Sequence, residues 1–391
     1  MAKKATRSAA KKAPNRSGAK PPARKPGKKP AADALSGPAL DDLRKRINEL
    51  DKNLVALLNE RAALVVDVGR QKRAAGLPIY TPHRETEVLE RALGLSGGPL
   101  PDRSLEAIFR ELMSGSIALQ QALRIGFLGP QGSYSHLASV RHFGSSVEYT
   151  ELPEIAAVFE EVARGHVHYG LVPVENSTGG GIAETLDCFR DGKAGGKSGD
   201  KEQVAVCAEV QLAVHHALLG MGEPRRIKRI YSKPEVFQQC RKWLARQFGK
   251  AELIPSASSS RAAEIAAEEC RAAISRGEVP ESAAIGSAWA GQLYGLTALF
   301  DRIEDQAENI TRFMVLSRQL AKPTGDDKTS IMFNTTDTPG ALVHVLQEFE
   351  RERINLTHIE KRPSGKRNWT YTFFVDCQTH RDDPAMVRAL G

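Results

Sequence analysis

Leu40, Leu43, Ile47, Leu50, Leu54 and Leu57 recur in steps of three and four, and Leu64 and Val68 resume the series. That spacing is the apolar seam of an amphipathic or coiled-coil helix. It predicts one long helix from about Leu40 to Ala75, stopped by Gly76 and Pro78. A single position breaks the seam: Arg61 stands where the next apolar residue belongs. A charge on a buried stripe is costly unless it is paired or holds a ligand. On the seam alone, Arg61 is either a core-edge arginine that snorkels or pairs with a carboxylate, or a clamp for an anion.

The charge is unevenly spread. The formal net charge is +8, but residues 1–30 carry eleven Lys or Arg and no acid, so the remainder sits at 8 − 11 = −3. The high pI belongs to the tail. Residues 1–37, rich in Pro, Ala and Lys, read as a disordered basic tail without the apolar core of a secretory signal. Such a tail solubilises; weak, salt-sensitive contact with nucleic acid or anionic surfaces is the sharper alternative. No apolar run is long enough to span a bilayer, so no membrane partner is expected; a solvated tail is favoured over a nucleic-acid partner. Cys188, Cys207, Cys240, Cys270 and Cys377 form no CxxC pair and no zinc spacing. No metal and no cofactor are expected, and the scattered thiols suit a reducing, cytoplasmic setting.

The body divides into three segments. Residues 38–122 are helical throughout: the long helix, a second from Thr81 and Pro82 to near Gly94, and a third from about Ser104 to Leu123. Residues 124–318 alternate strands (RIGFLG, HYGLVPVE, RIYS, AAIG, RFMVLS) with helices, an α/β pattern with a mainly parallel sheet. DGKAGGKSGDKEQ (191–203) reads as a flexible insertion. Residues 328–391 follow a β-α-β-β-α order with a helix opening on Pro339, a ferredoxin-like unit lacking its last strand.

In the helical segment, Arg61 and Lys72 lie eleven residues apart on one face, about 16 Å along the axis. Two long side chains can converge on a small anion between them. Ser116 and Gln120 continue an i, i+4 stripe begun by Phe109 and Met113, and Arg84 and Glu85 open the second helix. Basic and amide groups without metal ligands suit a small polyanion.

Here LRKRINELDKNLVALLNERAALVVDVGRQK, RETEVLERAL and SIALQQAL resemble the all-helical chorismate mutase family over 38–122. The resemblance implies a pericyclic rearrangement of chorismate to prephenate, driven by conformer selection and charge stabilisation at the breaking ether oxygen. It implies that Arg61 holds a carboxylate, that Lys72 and Gln120 bond the ether oxygen, that Glu85 meets the ring hydroxyl and that Ser116 positions substrate. Arg44 would hold the other carboxylate. It lies seventeen residues before Arg61, about 25 Å along the helix, too far for one pocket. The family's intertwined dimer supplies it from a second chain. Thr81 stands where the family often has Asp, keeping a hydroxyl and the cap but losing a charge.

GPQGSYSHLA (129–138), VENSTGGG (174–181) and NITRF (309–313) are polar loops beside apolar strands, the arrangement by which α/β folds bind anions. With YSKPEVFQQCRKWL and AAIGSAWAGQLYGL they resemble prephenate dehydratase over 124–318. That implies two α/β lobes like a periplasmic-type binding protein, with a cleft that expels CO2 and water from prephenate to give phenylpyruvate. The resemblance further implies that Thr311 carries the essential role, that Arg312 binds carboxylate and that Asn176, Ser177, Thr178 and Phe313 line the cleft; Lys233 stands where the family often has histidine. PGALVHVL and NLTHIEKRP resemble a phenylalanine-sensing ACT domain, which implies L-phenylalanine bound by Gly340, Ala341, Leu342, Val343, Glu360 and Arg362 at a homodimer or higher interface, with Lys361 in place of the usual serine. Together these predict a bifunctional, feedback-regulated enzyme of phenylalanine biosynthesis. The alternatives are a dehydratase whose helices only dimerise, and a non-catalytic binding regulator; the retained Arg44, Arg61, Lys72 and Gln120 oppose the first and Thr311-Arg312-Phe313 the second.

Overall fold

The structure, a computed structural model, describes residues 38–77, 79–192, 204–365 and 370–391. The basic tail and most of the 191–203 insertion lie outside the described residues. The chain divides into two compact units, with the boundary after Arg61.

Helix α1 (Pro38–Ala74) is unbroken, as its seam predicts. The seam is bare: Leu50 is 66% exposed, and Leu43, Ile47, Leu54 and Leu57 are also exposed. In the second unit, α2 (Pro82–Gly94) and α3 (Asp102–Gln120) pair with one another. Thr81 is the N-cap of α2, but its side chain makes no capping bond. Helix α3 ends three residues before the expected Leu123, because Gln121 already has extended backbone leading into the first strand.

That strand, β1 (Arg124–Leu128), opens a two-lobed α/β body. The first lobe holds α4 (Tyr134–Phe143), β2 (Glu148–Leu152), α5 (Ile155–Ala163), β3 (Tyr169–Asn176), β4 (Gly180–Gly181), α6 (Ala183–Arg190) and β5 (Ala205–Ala213). The second holds β6 (Ala217–Gly220), β7 (Arg229–Ser232), α7 (Pro234–Gln239), α8 (Arg241–Gln247), β8 (Glu252–Pro255), α9 (Ser259–Ser275), β9 (Ser282–Gly286), α10 (Ala288–Tyr294) and β10 (Thr297–Phe300). The chain then returns to the first lobe as β11 (Ile310–Ser317). The sheet orders are β2-β1-β3-β11-β5, with β4 on β3, and β10-β6-β9-β7-β8. Both sheets are mixed rather than mainly parallel: β1 runs parallel to β2 and β3, but β11 is antiparallel to β3 and β5. In the second lobe β6 is antiparallel to its neighbours. The return strand β11 is the cause in the first lobe, since it arrives from the other lobe rather than over a crossover helix.

Alternation along β11 splits the first lobe into two faces. Phe313 and Val315 pack with Phe143, Leu137, Ile117 and Tyr80; Met314 and Leu316 pack with Val158, Phe159, Leu186 and Phe374. The two opposite faces therefore receive the α2–α3 region on one side and the C-terminal unit on the other.

The C-terminal unit is β12 (Thr329–Asn334), α11 (Ala341–Arg351), β13 (Leu356–Pro363), β14 (Tyr371–Cys377) and α12 (Pro384–Leu390), with sheet order β12-β14-β13. Its helix begins at Ala341 with Gly340 as N-cap, two residues later than Pro339. Phe349, Ile354, Val375, Cys377 and Met386 form its core.

Candidate functional site

Thr311 sits second in β11, directly opposite the last residue of β3, Asn176. The Asn176 amide has a fixed orientation. Its Oδ1 accepts from Thr178 N (3.0 Å), Gly179 N (3.0 Å) and Thr178 Oγ1 (2.6 Å). Its Nδ2 therefore faces the other way and donates to Asn309 Oδ1 (2.7 Å) and Thr311 Oγ1 (2.9 Å). Thr311 is thus an acceptor toward Asn176, and its own hydroxyl proton is left for another partner. Ser177 Oγ accepts from Ile310 N (2.9 Å) and braces the start of β11.

The same proton count runs into the second lobe. Thr178 spends its proton on Asn176, so it accepts from Gln239 Nε2 (3.3 Å). Gln239 Oε1 then faces His216 Nε2 (2.7 Å), which must carry hydrogen. Burial holds His216 below its ordinary pKa, and its Nδ1 faces Tyr134 OH (3.0 Å), which also donates to His215 O (2.7 Å). Asn309, Gln239, His216 and Tyr134 complete a cluster that the sequence assignments leave out. Three of them lie in the quoted stretches NITRF, YSKPEVFQQC and GPQGSYSHLA; His216 carries no sequence signal beyond an apolar neighbourhood.

Arg312 and Phe313 are not gathered with Thr311. The structure turns Arg312 to the opposite face of β11, where it donates to Glu175 (2.5 Å), Glu209 (2.7 Å) and Asp376 (2.8 Å). Burial works against its charge, but the three carboxylates outweigh it and raise its pKa. Phe313 is a core residue, 1% exposed.

In the helical segment, Lys72 Nζ donates to Ile79 O (2.8 Å) and Thr81 Oγ1 (3.4 Å). Burial, then Arg84, lowers its pKa. Gln120 packs against α1 at Gly69, where a Cβ would stand 2.7 Å from Gln120 Cγ, so only glycine allows this approach. Gln120 Nε2 donates to Ser116 O (3.1 Å), while Gln120 Oε1 is buried without a hydrogen-bond partner. Ser116 Oγ donates to Leu112 O (2.6 Å). Glu85 turns toward the Tyr80 phenol, and burial raises its pKa to about 7 against the pull of Tyr80 and Arg110. On α1, Arg44 is exposed beside Asp41 (3.4 Å), and burial lowers the pKa of Arg61.

In the C-terminal unit, Gly340, Ala341, Leu342 and Val343 border a recess of about 230 Å³ with Thr336, Tyr371 and Phe373. Glu360 and Arg362 lie elsewhere, on β13. Arg362 Nη2 donates to Asp187 Oδ2 of α6 (2.8 Å), and the Glu360 carboxylate fills the space over Gly181.

Family models match in chain order: one described as Chorismate mutase type II over residues 43–121, one as Prephenate dehydratase over 125–321, and one as ACT domain over 329–391. A Stutzerimonas stutzeri protein named bifunctional chorismate mutase/prephenate dehydratase is 41% identical over 359 residues, 90% of this chain and 93% of its own length. An Aquifex aeolicus protein of the same name is 37% identical over 356 residues, with 90% and 93% covered. The structure also resembles that of prephenate dehydratase from Arthrobacter aurescens in complex with L-Phe, at TM-score 0.58 and 28% identity, covering 68% of this chain and 84% of that one.

Proposed function

The chain belongs to the bifunctional chorismate mutase/prephenate dehydratase family, and from that premise we propose how its residues carry the two consecutive reactions. The observation that carries the proposal is the Asn176–Thr311 hydrogen bond, which leaves the Thr311 proton available.

In dehydration, the bond from the ring to its carboxylate breaks and CO2 leaves. The electron pair enters the ring, which becomes aromatic, and the ring hydroxyl departs as hydroxide, which takes a proton from solvent to become water. A threonine hydroxyl is a weak acid, so Thr311 serves as a hydrogen-bond donor to that departing hydroxyl rather than as a proton source of its own. Asn176 fixes its direction, and Thr178 and Ser177 hold the strand end. Arg312, engaged by three carboxylates, holds β11 and the C-terminal unit together, and its influence on substrate is indirect.

In the mutase reaction no proton moves. Arg61 and, from a second chain, Arg44 hold the carboxylates, Lys72 and Gln120 meet the ether oxygen, Glu85 meets the ring hydroxyl, and Ser116 and Thr81 shape the wall. The unpartnered Gln120 Oε1 and the bare seam of α1 support this: a buried polar atom without a partner costs ~1–3 kcal/mol, and an exposed apolar stripe asks for a partner helix. A homodimer or higher assembly follows. The ACT domain fits feedback by L-phenylalanine, with Gly340–Val343 at the recess and Glu360 and Arg362 relaying to the dehydratase. No described helix is long and apolar enough to cross a membrane, and a cytoplasmic setting is part of the proposal.

The test is a two-substrate assay of the full chain. Chorismate or prephenate is supplied and phenylpyruvate is followed by absorbance; product from prephenate but none from chorismate would remove the mutase half, and none from prephenate would remove the dehydratase half.

A further inference from the structure

Tyr80 joins the two catalytic segments. It precedes α2, is 3% exposed, and its ring packs into the first dehydratase lobe, with centroids 4.9 Å from Tyr169 and 5.3 Å from Phe143. Tyr80 OH lies 2.9 Å from His142 Nε2 of α4, and the same phenol interacts with the Glu85 carboxyl. The seat is not a single contact. Glu111 of α3 accepts from Ser145 Oγ (2.6 Å), and Ser114 Oγ accepts from Ser146 N (3.1 Å), both just beyond α4.

The phenol has one proton and two claimants. Burial, then Arg110, pushes the pKa of His142 down to about 4, so its ring is neutral and can donate through Nε2 or accept there. A carboxylate can only accept. The arrangement that serves all three has His142 Nε2–H donating to the Tyr80 oxygen and Tyr80 O–H directed at Glu85.

Resting on the mutase reading of Glu85, we propose that Tyr80 is a positioning residue for the mutase: clamped by His142 of the dehydratase lobe, its phenol sets the Glu85 carboxylate against the substrate's ring hydroxyl. The dehydratase lobe thereby completes the mutase site. The groups around this carboxylate are Tyr80 ahead of α2 and Arg110 on α3, with Tyr169 of β3, Cys207 of β5 and His142 of α4 around the phenol. Tyr80 and Arg110 favour the ionised form against burial. Removing the phenol oxygen therefore moves the Glu85 titration upward, and with it the acid limb of mutase activity.

The test uses the full-length chain with Tyr80→Phe, which keeps the ring and loses the hydroxyl. Mutase kcat/KM falls about tenfold near pH 7, the deficit narrows at alkaline pH, and prephenate turnover stays unchanged. Unaltered mutase constants and pH profile would overturn the proposal. So would a loss shared equally by both activities in a folded variant, because that describes a loosened interface. Glu85→Gln separates the proposal from its premise. If Glu85→Gln lowers mutase activity while Tyr80→Phe does not, only the positioning role is lost; if Glu85→Gln retains full mutase activity, the premise falls and the proposal with it. Should Tyr80→Phe not fold, judged by near-UV circular dichroism, His142→Phe carries the test. It keeps an aromatic ring, removes the donor, and shifts the same limb in the same direction by less; an unmoved limb overturns the proposal.

Discussion

Arg312 Nη2 donates to Asp376 Oδ2 at 2.8 Å, so the residue beside Thr311 is anchored in the ACT domain rather than in the substrate cleft. Glu175, which also takes Arg312, adjoins Asn176 on β3. Each of the two strand residues that set the Thr311 hydroxyl thus has a neighbour committed to the opposite face. Arg312 and Glu175 are thus each one peptide unit from a residue of the proposed Thr311–Asn176 pair.

Arg312→Ala removes one cation from three carboxylates. Asp376 is 4% exposed, and a buried acid without its partner is costly. A loss of ~3 kcal/mol is expected, at the low end for a buried pair because the Arg312 side chain keeps some exposure. Asp376→Asn retains a hydrogen-bond acceptor and costs less, ~1–2 kcal/mol. Urea unfolding of the full chain measures both; an Arg312→Ala variant as stable as the parent would show the network to be ornamental.

Acid tests the same network. Burial raises the Glu209 pKa, but Arg312, Gln211 and Lys328 together outweigh it and bring the group from 4.5 to about 2. A depressed carboxylate adds stability above its unfolded value and loses it as pH falls through the folded one. The difference in melting temperature between the parent and Glu209→Gln is therefore expected to be full above pH 4.5 and to close as pH approaches 2. A difference that stays constant through that window contradicts the assignment.

Asn176→Asp is expected to be worse for dehydration than its size suggests. The Asn176 amide donates to Thr311; a carboxylate would accept instead and draw the Thr311 proton away from substrate. Loss of an oriented donor of this kind costs about 10²–10³ in kcat. Thr311→Ser keeps the hydroxyl and is expected to retain far more activity. Prephenate consumption measures both, and equal activity of Asn176→Asp and the parent would refute the proton count.

The helical seam was legible because a 3.6-residue period survives one interruption over 37 residues of α1. The separation of Thr311 from Arg312 was legible too, in principle. Adjacent residues on a strand face opposite ways, and treating the pair as one site sets that rule aside. The antiparallel return of β11 was not legible, since an apolar strand carries no mark of its direction. Nor was the His216–Gln239–Thr178 cluster, which joins residues from separate lobes and depends on which proton each group has left to give.

Arg61→Ala is expected to abolish mutase activity while prephenate turnover continues. Under the proposed assignment the two reactions use different residues, and Thr311→Ala is expected to do the reverse. Parallel assays with chorismate and prephenate measure this. If both activities fell together in a folded Arg61→Ala protein, separate sites would be excluded.

Gly181→Ala probes how phenylalanine reaches the cleft. Gly181 belongs to the short strand β4, which pairs with Glu175 and Asn176 of β3, and a Cβ there would overlap the Glu360 carboxylate. The displaced group is the end of a flexible side chain, so the substitution is expected to cost little stability, ~1 kcal/mol or less. It does expel Glu360 from the loop that carries Thr178. Under the proposed relay, prephenate turnover without effector stays near the parent's, while the phenylalanine concentration for half inhibition rises severalfold. Glu360→Ala removes the carboxylate without touching the loop and is expected to shift the curve in the same direction. Inhibition curves that superimpose for parent, Gly181→Ala and Glu360→Ala would mean that Glu360 has no part in the response, and the contact over Gly181 would be packing alone.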